Sequence, residues 1–447
     1  MKFRALEISL GERRIGHLFQ YGDITRLAVD QDYAMANGPA LLSLSLLAEG
    51  PEQQTAFFLN PMTPELNAVS PGKLPAFFQN LLPEGVLRKQ IALERGCTED
   101  DHFDILAACG NDLPGNVFAR PAKEQGLVET FVTQKHDSLE MSVVDEPMEE
   151  GFSLSGMQPK LSLVKDGKRF VVTRHFEGGH VIGKLPVSAY DRLPQVEHLS
   201  LELGRAAGAK VCHSSLQPMN LIEDSAPLTE GRENHFLAVE RFDRDIEGVF
   251  KGRLHAEDFA QVLGVDPMYK YTGGSYSDIM KVLLAFPDLG DDAALEFMRR
   301  LTVSELLGNF DMHLKNVGLL HHGDGRIELS PAYDIVAYSV YVNGEGHALK
   351  WTPGQERKQS LSPQLLRAFS NEIGMPEPRL RAVVRGVCAR AYEFWPTMID
   401  ESDLLPVQKE RLKAYIMGRP VMQSLVKRKH RAEDERSAPS RLDAGVP

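Results

Sequence analysis

Two carboxylates and one amide are spaced so that they could do chemistry together in the second half of the chain. Asp311 lies five residues before Asn316, and Asp334 follows after two short apolar runs that flank Asp324-Gly325. Phosphoryl transfer needs a carboxylate beside the incoming hydroxyl group and oxygen ligands for magnesium close to the phosphates. The Asp-Gly pair between apolar runs predicts a β-hairpin. We expect this hairpin to return Asp334 to the side of Asn316, so that three oxygen donors converge.

Protein kinases use the same order, with a base Asp five residues before an amide ligand and a second Asp ligand after a short hairpin. Each residue alone has an ordinary explanation, as a helix cap or a solvated polar group. A metal-dependent hydrolase built on Asp311, His313 and Asp334 is an alternative. His321 and His322 do not favour it, because adjacent residues of a strand point to opposite faces and cannot easily share one ion. The combination of loop, hairpin and second Asp favours the kinase-like interpretation.

An apolar strand with an internal lysine is predicted at residues 180–186. Lys184 in such a strand is unfavourable unless it is paired, which makes it a candidate phosphate ligand, although a lysine at a sheet edge could equally lie in water. The helix predicted over residues 194–208 carries Glu197 in its first turn. Glu197 is either the acid that orients Lys184, as in kinases, or a favourable charge at a helix N-terminus.

Two further segments accompany this strand and helix. A loop of small residues at 153–159 enters a hairpin, and its backbone amides could face phosphate oxygens, although a plain hairpin is the commoner explanation. Strands predicted at 215–222 and 236–240 follow the helix and lead into the polar stretch 241–244. The order of strand lysine, helix glutamate and two strands matches the small lobe of a kinase, where the stretch after the last strand holds an adenine.

The composition describes an ordinary globular protein of several domains. The 447 residues are 43% hydrophobic and 25% charged, which suggests two or three domains. The net charge of −12 argues against general nucleic-acid binding by this chain. Four widely spaced cysteines without a Cys-x-x-Cys pair fit a reducing compartment. Neither a signal peptide nor a membrane-spanning run is evident, so we expect a soluble, cytoplasmic protein.

The rest of the chain divides into regions by its patterns. Strands are predicted at 15–18, 25–29, 41–47 and 116–119, with helices within 74–95, broken at Pro83-Glu84-Gly85, and at 103–109. This first region is expected to be a compact α+β unit for packing or regulation. Downstream, helices are predicted at 256–263, 277–285, 292–308, 363–373, 377–394 and 406–417, and the segment 269–275 is expected to be mobile surface. Residues 125–150 are a polar, acidic linker, and 427–447 a disordered tail.

Several motifs in this order resemble the HipA family, the serine/threonine kinase toxins of bacterial type II toxin–antitoxin systems. The resemblance covers nearly the whole chain. It rests on the segments 80–85, 103–106, 110–115, 153–160, 184–186, 239–244, 311–316 and 333–334.

The fold that this resemblance implies is α+β, a protein-kinase-like two-lobed fold preceded by an N-terminal α+β subdomain. The domains would be 1–124 for the N-terminal subdomain and 151–426 for the catalytic domain. Within the catalytic domain, a β-rich small lobe would cover about 151–242 and a helical large lobe about 243–426.

The resemblance also implies roles for individual residues, with ATP and Mg²⁺ as cofactors. Asp311 would be the catalytic base, Asn316 and Asp334 would hold magnesium, and Ser153 would be autophosphorylated. The nucleotide would be bound by the phosphate-covering loop, by a lysine, by the backbone after the last small-lobe strand and by two bordering rings: Ser155, Gly156, Met157, Gln158, Pro159, Lys160; Lys184; Glu240, Arg241, Phe242; His313 and Tyr333.

The implied partners are a small helix-turn-helix antitoxin like HipB, operator DNA reached mainly through that antitoxin, and a protein substrate such as an aminoacyl-tRNA synthetase. Membranes are not among them. Phe310, Gly183 and Met157 depart from the residues usual in the family, but none of them removes a donor or the base. A pseudokinase-like corepressor that acts with the antitoxin on operator DNA is the alternative function.

Overall fold

The structure is a computed structural model that describes residues 2–36, 41–122, 140–141, 158–172, 179–223, 234–244, 252–355 and 359–427. These residues form two compact units. The first unit comprises Met1–His198, Cys212–Gly274 and His313–Tyr333, and the second comprises Leu199–Val211, Ser275–Met312 and Asp334–Pro447. The predicted linker, apart from residues 140–141, and nearly all of the predicted tail lie outside the described residues.

The first unit begins with a sheet of mostly antiparallel strands in the order β3-β2-β1-β4, with a short fifth strand parallel to the start of β1. Its strands are β1 (Lys2–Leu10), β2 (Arg13–Tyr21), β3 (Ile24–Val29), β4 (Val117–Pro121) and β5 (Glu140–Met141). The helices of this region are α1 (Gln31–Ala34), α2 (Pro51–Leu59), α3 (Ala76–Gln79), α4 (Gly85–Arg95) and α5 (His102–Cys109). Alternate strand residues and the apolar helix faces pack into one core, which includes Leu6, Leu18, Phe78, Phe103 and Leu106.

The second sheet of the first unit is antiparallel, in the order β7-β6-β8-β10-β9. It consists of β6 (Lys160–Asp166), β7 (Arg169–Val172), β8 (Val181–Lys184), β9 (Ser214–Pro218) and β10 (His235–Glu240). Phe170 and Phe236 pack edge to face at the centre of a small core that also contains Leu163 and Val181. Helix α6 (Leu193–Ala206) follows β8 in the chain, and its first six residues belong to this unit.

A third, small sheet of the first unit contains the predicted hairpin. Its strands are β11 (His255–Asp258), β12 (Gly318–His321) and β13 (Ile327–Leu329), and helix α7 (Phe259–Val262) follows β11 directly. The side chain of Asp258 starts α7 by accepting the backbone N–H of Gln261, and Gln261 caps Asp258 in return. The confirmed hairpin and this sheet therefore flank the loop that carries Asn316.

The second unit is helical. Its helices are α8 (Tyr276–Ala285), α9 (Gly290–Leu307), α10 (Pro363–Ile373), α11 (Glu377–Glu401) and α12 (Pro406–Gly418), together with the last part of α6. Trp351 is fully buried among Tyr276, His347 and Phe369, which contact it edge to face. None of the helices within the described ranges is long and apolar enough to cross a membrane.

Most predicted elements are present, but one prediction was wrong and two were wrong in part. Residues 41–47 form no strand but a 3₁₀ turn over Leu44–Leu46, whose start is capped by the Ser43 side chain. The helix predicted at 256–263 begins only at Phe259, because the preceding residues pair with β12. The strand predicted at 215–222 ends at Pro218 and continues as the 3₁₀ turn Met219–Leu221.

The segment predicted to be mobile surface at 269–275 has specific contacts inside the first unit. Lys270 forms an ion pair with Glu84 at 2.8 Å, and its carbonyl accepts the N–H of Leu314 at 3.2 Å. The ring of Tyr271 meets the ring of His313 edge to face, with 4.9 Å between centroids. This segment therefore packs against the loop that follows Asp311.

Candidate functional site

The lysine predicted to lie inside an apolar strand is paired. Lys184 is the last residue of β8, and its Nζ donates to Oε1 of Glu197 in α6. Lys184 is 5% exposed and Glu197 is 1% exposed, so the pair is removed from water. Because α6 begins at Leu193, Glu197 lies one turn inside the helix rather than in its first turn. The interpretation of Glu197 as the orienting acid is thereby favoured over that of a charge at the helix terminus.

The predicted phosphate-covering loop is only partly described. Ser153, Ser155, Gly156 and Met157 lie outside the described residues. The end of the loop is attached to the strand that carries Lys184, since Gln158 Nε2 donates to the carbonyl of Leu185 at 2.8 Å and the N–H of Leu185 donates to the carbonyl of Pro159 at 2.9 Å.

Beyond that attachment, Lys160 opens β6 opposite Lys184 in the antiparallel register. The loop exit and the lysine therefore belong to one strand pair.

The segment predicted to hold an adenine is strongly bonded within the first unit. The N–H of Glu240 donates to the carbonyl of His213, and the N–H of Arg241 donates to the carbonyl of His180, both at 2.9 Å. The carbonyl of Arg241 accepts the backbone N–H of Arg244 at 3.2 Å. The ring of Phe242 lies 5.6 Å from that of Tyr333, between centroids.

The Arg241 guanidinium is 4% exposed and is bound by Asp112 and Asp243. These charges outweigh the effect of burial and raise the pKa of Arg241 above its usual range. The side chain and the N–H of Arg241 are therefore engaged in the fold. The expected backbone contacts of Glu240, Arg241 and Phe242 with the nucleotide stay predictions.

The catalytic loop begins in the second unit, where α9 ends at Leu307. Gly308 closes the helix in the left-handed conformation, with φ of 67°. The buried Asn309 turns back onto the helix through its N–H, which donates to the carbonyl of Ser304 at 2.9 Å. Its side-chain oxygen accepts the N–H of Asp311 at 3.3 Å. The end of α9 thus sets the backbone direction at the half-buried Asp311.

The loop continues in the first unit as the 3₁₀ turn Leu314–Asn316. Nδ1 of His313 accepts the N–H of Lys315 at 3.2 Å and so caps the turn. His313 is 5% exposed, and Asn316 is half-buried. The Tyr333 hydroxyl donates to the carbonyl of Lys315 at 2.8 Å. The chain at the end of the hairpin is therefore bonded to the turn that presents Asn316.

Asp334 belongs to the second unit and has an unusual backbone. Its φ of 52° places it in the left-handed region, where among the described residues only one other non-glycine residue is found, Arg192. Such conformations cost free energy and cluster at functional positions. The half-buried side chain of Asp334 is thus directed by a backbone that most residues would avoid.

The donors expected to hold magnesium are hard oxygen atoms, an amide at Asn316 and a carboxylate at Asp334. Mg²⁺ typically takes one or two such protein ligands together with phosphate oxygens and water. Within the described ranges, no three His, Cys, Asp or Glu side chains are grouped as a metal site. His321 and His322 have separate partners, Glu257 at 2.7 Å and Glu328 at 3.3 Å, although β12 ends at His321 and His322 lies just beyond the strand.

Contacts that the sequence did not reveal surround Lys315. Its Nζ donates to the carbonyl of Asn80 at 2.7 Å and to Oδ2 of Asp258 at 2.8 Å. Asn80 lies in the segment 80–85, to which the sequence assigns no chemistry. The local signal for these contacts is limited to the lysine itself, which lies between Leu314 and Asn316.

Comparisons with known proteins place these features in a family. The description "HipA N-terminal domain" matches residues 6–120, and "HipA-like C-terminal domain" matches residues 152–395. The Sinorhizobium fredii protein Y4dM, named as a kinase, is 33% identical over 72% of this chain and 76% of its own length. The serine/threonine-protein kinase toxin HipA of Shewanella oneidensis is 28% identical over 72% of this chain and 77% of its own.

A solved structure shares the fold. Shewanella oneidensis HipA, in its complex with HipB and operator DNA, superposes with a TM-score of 0.64 at 21% identity and covers 94% of this chain and 97% of its own. The α+β, kinase-like fold class expected from the sequence is thereby confirmed.

Proposed function

The chain belongs to the HipA family of serine/threonine protein kinases, and we propose that it transfers the γ-phosphoryl group of ATP to a hydroxyl group of a protein substrate. The observation that carries this proposal is the buried ion pair of Lys184 and Glu197. Burying an ion pair gives little net stability, because the cost of removing both charges from water offsets their attraction. A phosphate-binding role gives a reason for keeping the lysine at the end of β8.

In the proposed reaction, Asp311 accepts the proton of the substrate hydroxyl group. At the same time, the oxygen of that hydroxyl group forms a bond to the γ-phosphorus atom. The bond between that phosphorus and the β–γ bridging oxygen breaks, and ADP leaves. Asn316 and Asp334 supply oxygen ligands of the kind that magnesium prefers, and the ion, when bound, would neutralise charge on the phosphates. Lys184 adds a fixed positive charge, which Glu197 holds in place.

The other nucleotide contacts in this proposal come from three parts of the chain. The phosphate-covering loop contributes Ser155, Gly156, Met157, Gln158, Pro159 and Lys160. The backbone of Glu240, Arg241 and Phe242 would hold the adenine. His313 and Tyr333 would border the nucleotide. His313 also caps the turn Leu314–Asn316.

Ser153 is the proposed autophosphorylation site. A phosphate there would add about two negative charges beside the phosphate-covering loop, which would repel ATP and switch the kinase off. In domain terms, we propose 1–124 as the N-terminal subdomain, 125–150 as the linker, 151–426 as the catalytic domain and 427–447 as the tail.

We further propose a helix-turn-helix antitoxin like HipB as partner, with operator DNA reached mainly through it. The structural relative was solved in such a complex, and the net charge of −12 of this chain would leave most DNA contacts to a basic partner. An aminoacyl-tRNA synthetase is the proposed substrate. The cytoplasm is the proposed location, because Cys97, Cys109, Cys212 and Cys388 are free thiols, as a reducing compartment requires.

The direct test is incubation of the purified chain with labelled ATP and magnesium, beside Asp311→Ala, Asp334→Ala and Ser153→Ala. The parent should become labelled on Ser153. Both Asp variants should bind nucleotide but transfer no phosphate, whereas Ser153→Ala should lose its own label and still label a substrate. A phosphoproteome comparison of cells that express the parent or Asp311→Ala would then identify that substrate.

The alternative function, a pseudokinase-like corepressor, predicts a different result. The parent would transfer no phosphate, and operator binding with the antitoxin would be unchanged in Asp311→Ala. Expression without a partner should slow growth if the chain is a toxin. Equal growth inhibition by Asp334→Ala would show that phosphoryl transfer is not its source.

A further inference from the structure

We propose that Lys315 is a positioning residue, which orients Asn316 for the phosphoryl transfer proposed above. It does so by connecting Asn316 to the part of the first unit from β1 to β4, here called the N-terminal region. The inference rests on the proposed role of Asn316. It assigns a function to the N-terminal region, which the sequence suggested only as a packing or regulatory unit. It is carried by the contacts of one buried ammonium group.

The ammonium group of Lys315 is fully engaged inside the first unit. The residue is 6% exposed, and its Nζ lies 2.7 Å from the carbonyl oxygen of Asn80, 2.8 Å from Oδ2 of Asp258 and 3.4 Å from Oδ1 of Asn80. A lysine has three N–H donors, and three acceptors surround this one. Lys315 is therefore not available as a phosphate ligand, although it immediately precedes Asn316.

The acceptor from the N-terminal region is itself held in place. Asn80 is 4% exposed, and its Nδ2 donates to the carbonyls of Ala76 at 2.9 Å and of Val265 at 2.7 Å. Its own N–H donates to the carbonyl of Ala76. Because both ends of Asn80 are bonded, its carbonyl cannot follow a displaced lysine without breaking other hydrogen bonds.

The second acceptor, Asp258, is fixed as well. Its Oδ1 accepts the N–H of Gln261 at 2.9 Å and starts α7, while its Oδ2 accepts from Lys315. The two oxygens of one carboxylate thus tie the helix start to the catalytic loop. A displacement of the start of α7 would therefore also displace Lys315, and a displacement of Lys315 would displace the start of α7.

A second ion pair, that of Glu84 with Lys270, also connects the N-terminal region to the catalytic loop. Glu84, four residues after Asn80, forms an ion pair with Lys270, whose carbonyl accepts the N–H of Leu314. Burial by itself would raise the pKa of Glu84, but Lys270, Lys315 and His313 outweigh it and lower that pKa. The acid therefore stays ionised and bound to Lys270 at neutral pH.

These contacts control the direction of Asn316 because the turn is short. Lys315 and Asn316 lie in one 3₁₀ turn, in which the Lys315 N–H is bound by His313 and the Lys315 carbonyl by the Tyr333 hydroxyl. With its side chain, N–H and carbonyl all bonded, Lys315 leaves the next residue little rotational freedom. Groups that orient metal ligands in this way typically change metal affinity or activity by 10- to 100-fold when they are removed.

The test compares Lys315→Met with Lys73→Met in the full chain. Both variants remove one ammonium group and keep the apolar stem. Lys73 pairs with Asp266 at 2.9 Å, so it also joins the N-terminal region to the segment after α7, and its ammonium group is bound there rather than at the catalytic loop. Phosphoryl transfer from ATP is measured as a function of magnesium concentration, below the melting temperature of both variants.

We expect Lys315→Met to lower kcat and to raise the half-saturating magnesium concentration, each by roughly 10-fold or more, and Lys73→Met to leave both within about twofold of the parent. Asp258→Asn should shift both quantities in the same direction by a smaller factor, because one amide oxygen must serve both the helix cap and the lysine. This variant keeps the inference testable if Lys315→Met does not fold.

Two outcomes would overturn the inference. Unchanged magnesium dependence in Lys315→Met, with an active parent, would show that the ammonium group only stabilises the fold. Equal effects of Lys315→Met and Lys73→Met would show that any loosening of the N-terminal region has the same result. An inactive parent would instead contradict the proposed kinase function, so the two failures are distinguishable.

Discussion

Arg241 and Asp112 form an ion pair between side chains that are 4% and 5% exposed, with 3.0 Å between Nη1 and Oδ1. Asp112 lies after α5 in the N-terminal region, and Arg241 directly follows β10. Arg244 shares the same carboxylate oxygen at 3.2 Å, and Asp243 binds both arginines. A buried network of ion pairs between side chains therefore holds the stretch 240–242, whose backbone is predicted to bind the nucleotide.

Asp112→Asn should destabilise the first unit strongly. The substitution leaves buried arginines short of a counter-charge, and removal of one partner from a buried ion pair typically costs about 3–5 kcal/mol. We expect a clearly lower urea midpoint in unfolding followed by fluorescence. The matched control is Glu223→Gln, which removes the carboxylate of an exposed pair with Arg169 and should change stability by less than about 1 kcal/mol. Similar midpoints for the two variants would contradict the structural role of the network.

Lys184→Met should lower kcat/KM for ATP by on the order of 100-fold, because a preorganised charge on the phosphates is lost. Glu197→Gln should have a smaller effect in the same direction, since the lysine remains but loses the acid that holds it. Lys165→Met, which removes an exposed lysine from the same sheet, is the control and should leave the rate unchanged. Steady-state phosphoryl transfer at fixed magnesium measures all three. A Lys184 variant as active as the control would end the assignment.

Elements with their own local signals could be predicted from the sequence. Helix α10, for example, has a local start signal: Ser362 caps it by accepting the N–H of Leu365, and Pro363 is its first residue. The Asp-Gly hairpin is likewise present. The prediction of a strand at residues 41–47 was wrong because a distant partner determines their conformation. The Ser43 hydroxyl donates to Oε2 of Glu257 at 2.6 Å. Alternating apolar residues do not reveal such a contact.

The candidate site shows the same limit. The pairing of Lys184 with Glu197 could be predicted, because a lysine in an apolar strand needs a nearby acid and the next helix offers one. The partners of Lys315 could not, since Asn80 lies 235 residues away in sequence and Asp258 lies 57. The domain boundaries and the roles of Asp311, Asn316 and Asp334 in catalysis stay predictions.

The first unit should lose stability as the pH falls from about 6.5 to about 4. Burial and the neighbouring His321 lower the pKa of His255 to about 4. Nε2 of His255 donates to the carbonyl of Leu42 at 2.7 Å, and Nδ1 has no hydrogen-bond partner among the described residues, so a second proton would be buried without an acceptor there. A histidine whose pKa is lowered by folding binds its proton more readily in the unfolded state. Its stabilising contribution is therefore complete above pH 6.5 and declines toward pH 4.

The contribution of His255 over this interval is on the order of 3 kcal/mol. The urea midpoint measured between pH 7 and pH 4.5 should fall less steeply in His255→Gln than in the parent, since glutamine can still donate to Leu42 but does not titrate. Identical pH slopes in the two proteins would show that His255 is not a source of the acid sensitivity.

Gly308→Ala should impair both the stability of the second unit and the transfer reaction. Gly308 has a φ of 67°, and an added Cβ would lie 2.7 Å from Cβ of Ser339 and 2.9 Å from Cζ of Tyr415. The left-handed backbone costs an L-residue about 1–2 kcal/mol, and overpacking typically adds about 1–3 kcal/mol. Since Gly308 ends α9 three residues before Asp311, the strain would displace the proposed base.

Gly374→Ala is the matched control for this prediction. Gly374 ends α10 with a φ of 70°, but an added Cβ would meet no atom within 4 Å among the described residues beyond its chain neighbours. Both variants should melt at lower temperature than the parent, Gly308→Ala more so. Only Gly308→Ala should also lose transfer activity when assayed well below its melting temperature, by roughly 10-fold, because small displacements of a catalytic group cost large factors in rate. Equal activity of the two variants would show that the end of α9 does not control the position of Asp311.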